Sequence, residues 1–106
     1  MHFIKKPLRH KFNAKPTHLN GIRFASKREA RLYAELVLEK EAGGVLFFLR
    51  QVPLHLPGGV KYVVDFVVFY TDGRVRFLDA KGMETPEFKT KKKIVEATYP
   101  IEIECV

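Results

Sequence analysis

An aspartate lies inside an otherwise apolar run, Tyr62-Val63-Val64-Asp65-Phe66-Val67-Val68-Phe69-Tyr70. Further along, Asp79-Ala80-Lys81 follows directly on Phe77-Leu78. A carboxylate is costly to place in such a strand unless it is paired or holds a metal. Two carboxylates and a lysine gathered on one sheet face are suited to hydrolysing phosphodiester bonds with a divalent metal ion. Glu29 is a third acidic candidate, with two readings. Ser26-Lys27-Arg28-Glu29 has the Ser-x-x-Glu pattern of a capping box, a purely local task. Glu29 also stands one helical turn before Tyr33, on a stripe that faces the core, from which it could reach the active face of a sheet. Glu35 lies off that stripe and is a fallback. Gln51, on the strand before Asp65, either faces the site to hold water or phosphate or is a polar residue at its rim.

Whether the acids meet depends on one turn. Side chains of a strand alternate between faces, which puts Asp65 with Val63, Val67 and Phe69, and Asp79 with Lys81, Val75 and Phe77. A two-residue Asp72-Gly73 turn pairs Asp65 with Ala80 and sends Asp79 to the other face. A three-residue loop, with Gly73 in a left-handed bulge position, pairs Asp65 with Asp79. The sequence permits both, and only the second assembles a site.

The elements around these strands read as follows. Residues 1–16, polar and basic with Pro7 and Pro16, are expected to be an extended or mobile arm. Residues 17–106 then form one domain. Asn20-Gly21 signals a hairpin within Thr17–Phe24. Ser26 starts a helix to about Ala42, with Ala30, Tyr33, Leu36, Val37 and the stem of Lys40 on its apolar face, and Gly43-Gly44 stops it. Val45–Leu56 is a strand whose Pro53 marks an edge or an end, and Pro57-Gly58-Gly59 turns the chain into the two strands above. Thr85 caps a second helix with Pro86 at its first position, and Tyr99-Pro100 ends it near Thr98. Ile101–Val106 closes the fold as a strand. The order is hairpin, helix, three strands, helix, strand, an α/β fold of the α+β kind.

At 106 residues and 46% hydrophobic content, the chain is expected to fold as one domain around a modest core. No apolar run is long enough for a membrane span, and the N-terminal residues lack the apolar stretch of a signal peptide. A single cysteine, Cys105, excludes an internal disulfide and a cysteine-rich zinc site, which fits a reducing cytoplasm. His2, His10, His18 and His55 have no ligand-like spacing. The net charge of +7 points to a polyanionic partner. Its distribution strengthens the point. Lys5, Lys6, Arg9, Lys11, Lys15, Arg23, Lys27 and Arg28 precede the first acid, and Lys89, Lys91, Lys92 and Lys93 form a second cluster. Such groups grip phosphates without reading bases. Lys91, between Phe88 and Val95, is expected to point inward; Lys89, Lys92 and Lys93 form a solvated face.

At Gly21-Ile22-Arg23-Phe24-Ala25-Ser26-Lys27-Arg28-Glu29-Ala30, Tyr62-Val63-Val64-Asp65-Phe66, Asp79-Ala80-Lys81-Gly82 and Tyr99-Pro100-Ile101-Glu102-Ile103, the chain resembles the PD-(D/E)XK nuclease superfamily. It looks most like small bacteriophage-encoded members akin to phage endonuclease I, a Holliday-junction resolvase, and to the nuclease subunit of Tn-seven-type transposases. The likeness runs from about Asn20 to Val106. Val64 replaces the proline that names the superfamily, and Asp79 stands where glutamate is frequent.

The resemblance implies a restriction-endonuclease-like mixed sheet flanked by two helices. It implies that Asp65 and Asp79 bind Mg²⁺ or Mn²⁺ with the carbonyl of Ala80, oxygen ligands that suit hard ions. Lys81 would orient or deprotonate the attacking water, and Glu29 would position a metal-bound water or a second ion. The implied substrate is branched or duplex DNA, cut to leave a 5′-phosphate and a 3′-hydroxyl. Resolving a junction requires paired cleavage and hence a homodimer, for which the apolar edge near Phe47-Phe48 is one candidate surface. Two other functions compete. One is a non-catalytic nucleic-acid-binding module, which leaves Asp65 unexplained. The other is a decayed nuclease fold serving as an accessory subunit, which the intact Glu29, Asp65, Asp79 and Lys81 disfavour.

Overall fold

A computed structural model describes residues 17–106. The basic arm expected over residues 1–16 lies outside the described residues, and with it Lys5, Lys6, Arg9, Lys11, Lys15, His2 and His10.

The described residues open with a hairpin of β1 (Thr17–Leu19) and β2 (Ile22–Phe24). Asn20 and Gly21, at φ 53 and 77, form its two-residue turn, the left-handed pair that matches strand twist. α1 (Lys27–Glu41) follows, capped by Ser26, whose hydroxyl accepts the Glu29 amide at 3.1 Å. Such a cap contributes about 1 kcal/mol. Ala30 and Leu36 are buried, Tyr33 and Val37 half-buried, and Lys40 is exposed, so its stem does not join the apolar face.

β3 (Val45–Leu56), β4 (Val60–Tyr70), β5 (Val75–Asp79) and β6 (Ile103–Cys105) form the main sheet in that order. The pairs β3–β4 and β4–β5 are antiparallel, and β5–β6 is parallel. Pro53 is tolerated because β3 is an edge strand. α2 (Pro86–Thr98), capped by the Thr85 hydroxyl, makes the crossover from β5 to β6. The closing strand is shorter than Ile101–Val106. The element order is the one expected, and the fold is a mixed sheet with two helices.

The turn between β4 and β5 takes the three-residue form. Tyr70 donates its amide to the Arg74 carbonyl at 2.9 Å, and Gly73 sits at φ 95. Phe66 then faces Leu78, and one step further Asp65 stands opposite Asp79. A β-carbon at residue 73 would meet open space, so the backbone alone selects glycine there. Gly73→Ala is expected to destabilise the domain by about 1 kcal/mol, and Gly73→Asn by less, because asparagine tolerates this conformation. Urea unfolding midpoints check the ranking; equal midpoints for all three proteins would remove the turn from the determinants of this register.

The core shows where simple alternation fails. Phe66, Val68 and Tyr70 cluster with Leu36 of α1, and the intervening Val67 clusters with Phe88 and Val95 of α2. The helices therefore cover opposite faces of the sheet. Before Asp65 the parity reverses: Tyr62 and Val64 belong with Val67 and α2. β3 reverses at the same level, with Phe48 on the α1 side and Val52, Leu54 and Leu56 on the α2 side. Arg50 pairs with Phe66 and Val52 with Val64, so no residue is inserted. Gln51, between them and opposite Asp65, has φ 53. This left-handed residue is the local cause of the reversal on β3, and a non-glycine residue held there is costly. The expectation that Asp65 shares one face with Val63, Val67 and Phe69 is corrected accordingly: Val63 is exposed, Val67 is buried against α2, and Asp65 sits at the switch.

Candidate active site

Three elements meet at the parity switch. α1 supplies Glu29 from its first turn, β3 supplies Arg50 and Gln51, and β4 supplies Asp65. Adjacent strand residues ordinarily point to opposite faces. The left-handed Gln51 lets two neighbours reach the same atom. Gln51 Nε2 donates to Glu29 Oε2 at 2.9 Å, and Arg50 Nη2 lies 3.5 Å from that oxygen. The same Gln51 nitrogen donates to Asp65 Oδ1 at 3.2 Å, so one neutral amide bridges two carboxylates. The other Asp65 oxygen accepts the Ala80 amide at 3.0 Å.

Glu29, at 4% exposure, turns one oxygen back toward the helix start and the other toward Gln51. Its Oε1 accepts the Ala25 amide at 3.3 Å, one residue earlier than a regular capping box, while Oε2 faces the site. Burial pushes its carboxyl up, the Asp65 charge pushes it further, and the Ala25 amide and Arg50 pull it back. Asp65 is likewise raised by burial and lowered by the Ala80 amide, Lys81, Gln51 and Arg50. Two raised carboxyls that repel each other across a neutral donor are short of positive charge.

Asp79 requires a second correction. The register puts it opposite Asp65, but its carboxylate lies on the α2 side of the switch. It is 1% exposed. One oxygen accepts the Asp65 amide at 2.9 Å and the other the Tyr62 hydroxyl. Burial raises its pKa, and the Asp65 amide and Lys81 lower it. Asp79 thus holds the backbone of Asp65 rather than sharing its face. Among the described residues no three carboxylate, histidine or cysteine side chains come together as a metal-holding group. The oxygens of Glu29 and Asp65 fit a hard divalent ion by their chemistry, and the group that hydrogen-bonds to both is the neutral Gln51 amide. Asp79 could add an oxygen only by exchanging one of its present partners.

Lys81 is half-buried, with its ammonium 5.0 Å from the centroid of the Phe88 ring, and its charge acts on both Asp65 and Asp79. Gln51 is the hub of the site rather than a rim residue. Arg50 is the residue that sequence reasoning missed. The signal was available, because an arginine within Phe48-Leu49-Arg50-Gln51-Val52 is as anomalous as Asp65.

The remaining candidates are dispersed. Glu35 is exposed, as are His18, His55, Arg23, Lys27, Lys89 and Lys93. Lys91 does not point inward; it is 4.0 Å from Glu87. Lys92 pairs with Glu96 at 3.4 Å. Phe48 belongs to the α1-side core, whereas Phe47 is 40% exposed and stacks on Phe69 at 4.4 Å, which narrows the apolar edge to Phe47. Cys105 is a free thiol on β6. No helix among the described residues is long and apolar enough to cross a membrane.

A family model described as "Protein of unknown function (DUF1064)" matches residues 9–105. No curated protein and no solved structure matches the chain.

Proposed function

We propose that this chain, which belongs to the DUF1064 family, is a metal-dependent endonuclease that hydrolyses phosphodiester bonds in DNA. The observation that carries this reading is the bridge from Gln51 to the buried Glu29 and the half-buried Asp65, two mutually repelling carboxyls from different elements, with Lys81 acting on Asp65. Burying such a pair costs stability, and a fold keeps that cost where charge is needed. The order of helix glutamate, strand aspartate and Asp79-Ala80-Lys81 adds the likeness to PD-(D/E)XK nucleases.

In this reading Glu29 and Asp65 hold Mg²⁺ or Mn²⁺, with Asp79 and the Ala80 carbonyl as the further ligands that the resemblance implies. Bound there, the ion supplies Lewis acidity and a water of lowered pKa. Gln51 fixes the two carboxylate oxygens relative to each other. Asp79 and Ala80 fix Asp65 from the opposite strand, which keeps its oxygens from turning away. Lys81 carries positive charge to the place where negative charge builds on the phosphate, and orients the attacking water. The exposed Arg23, Lys27, Lys89 and Lys93 are suited to backbone phosphates rather than bases. Branched DNA and a homodimer are the substrate and assembly the resemblance favours.

The accessory-subunit reading draws on one observation, that both oxygens of Asp79 are already engaged. A single assay separates the two. Labelled four-way junction, linear duplex and single strand are incubated with the protein in Mg²⁺, Mn²⁺ or EDTA. Cutting is expected with either metal and not with EDTA, falling about a hundredfold or more in Lys81→Ala. No cutting of any substrate under any metal, with DNA binding unchanged in Lys81→Ala, would instead support the non-catalytic, accessory-subunit reading.

A further inference from the structure

Arg50 is the least explained charge in the fold. Its guanidinium lies 4.5 Å from the centroid of the Phe24 ring, which is itself buried, so the plane is held from one side. Its ionic contact to Glu29 is long, 3.5 Å. Its Nε is buried and has no hydrogen-bond partner among the described residues. The side chain keeps 26% of its exposure, so one side of it is open to solvent. An arginine has a planar fork of five donors that matches the oxygens of a phosphate, and stacking on a ring pre-orients that fork. An unmade hydrogen bond on a buried donor is costly enough to need a reason.

We propose that Arg50 docks the phosphate of the nucleic acid at the cleavage position, delivered there by the left-handed backbone of Gln51. The inference rests on the nuclease reading above and adds an order of events to it. Without a metal ion, Arg50 is the cation paired with Glu29 among the described residues. A divalent ion shared by Glu29 and Asp65 offsets their charge and leaves Arg50 without a counter-ion. A phosphate oxygen then becomes its best available partner. Metal binding and DNA binding are therefore coupled through this one side chain, and the coupling is reciprocal.

The test measures DNA affinity with and without Ca²⁺, a divalent ion chosen to occupy the site without supporting cleavage. Wild type, Arg50→Ala and Arg50→Lys are compared on a substrate whose cleavage position has been mapped with the wild type. Wild type is expected to gain about tenfold in affinity with Ca²⁺. Arg50→Ala should lose that gain and Arg50→Lys should keep only part of it, because an ammonium lacks the fork. Replacing the mapped phosphate by a neutral methylphosphonate should weaken the wild type by about tenfold and leave Arg50→Ala unchanged. Melting temperatures accompany each protein, and Arg50→Lys carries the test if Arg50→Ala does not fold. A Ca²⁺ gain and a methylphosphonate penalty that persist in both variants, while the wild type cuts, overturn the role of Arg50 alone. A wild type that neither cuts nor gains affinity with any divalent ion overturns the nuclease reading and this inference with it.

Discussion

Asp65→Asn is expected to lower metal-dependent cleavage by about a thousandfold or more while moving the melting temperature by only a few degrees. The first half follows from charge. Asparagine offers a metal ion one neutral oxygen in place of a carboxylate, and Glu29 is left as the only anion facing Gln51. The second half follows from two opposing local effects. Asp65 accepts two hydrogen bonds, from Gln51 and from Ala80, one on each oxygen. Asparagine keeps one of those acceptors and points an amine at the other donor, a loss of about 1–2 kcal/mol. Against that, the neutral side chain no longer suffers the desolvation that raises the Asp65 carboxyl, and the repulsion that raises Glu29 disappears. Cleavage rates and thermal scans on one preparation give both numbers. Cleavage retained within about threefold of wild type would mean that the carboxylate does no chemistry. A loss of cleavage matched by a collapse in stability would make Asp65 a structural residue.

The contrast between the two carboxylates bears on what the sequence reveals. The loop choice was legible as a pair of alternatives, because Gly73 serves either turn; the Tyr70–Arg74 hydrogen bond selects the three-residue form. From that register, strand alternation predicts that Asp65 and Asp79 share a face. They do not, because β3 and β4 both change parity at that level, where Gln51 adopts a left-handed conformation that nothing in its residue type signals. Glycine or asparagine there would have given warning; glutamine does not. The same event hid Arg50, whose neighbour in sequence became its neighbour in space. The placement of Glu29 was legible, since the Ser26 spacing marks the helix start and the Tyr33 spacing marks the inward stripe, although its oxygen accepts the Ala25 amide and not that of Ser26. The helix ends were the most legible part, because Ser26, Thr85 and Pro86 act on the residues beside them. Lys91 was misread because helical spacing gives a direction, and Glu87 one turn earlier supplies a closer partner at the surface.

The buried acids also set the sign of the pH dependence. Glu29, Asp65 and Asp79 are all raised in the folded state above their ordinary values of 4.5, 3.8 and 3.8, with burial as the leading cause. A group whose folded pKa exceeds its unfolded one favours the fold below the unfolded value and loses that contribution as pH rises through the folded one. In EDTA, the contribution of these three acids therefore declines as pH climbs upward from about 4.

The Glu104 carboxyl has the opposite sign, because Arg76 holds it down; its contribution is lost as pH falls, but the pair is about one-third exposed and is discounted for solvent screening. The difference in melting temperature between wild type and Asp65→Asn removes such shared terms. That difference is expected to fall with rising pH in EDTA, at about 4–8 °C for each kcal/mol in a domain of this size. With Mn²⁺ present the sign should invert, because a metal ion binds only the ionised carboxylates. At a hundredfold excess over its dissociation constant, an ion that binds only the folded wild type adds about 2.7 kcal/mol. A difference that rises with pH in EDTA would mean that Asp65 is a well-paired carboxylate held below its unfolded value, and a flat one that it is solvated. A difference that falls with pH and is untouched by Mn²⁺ would leave the acids buried together and remove the metal from the reaction.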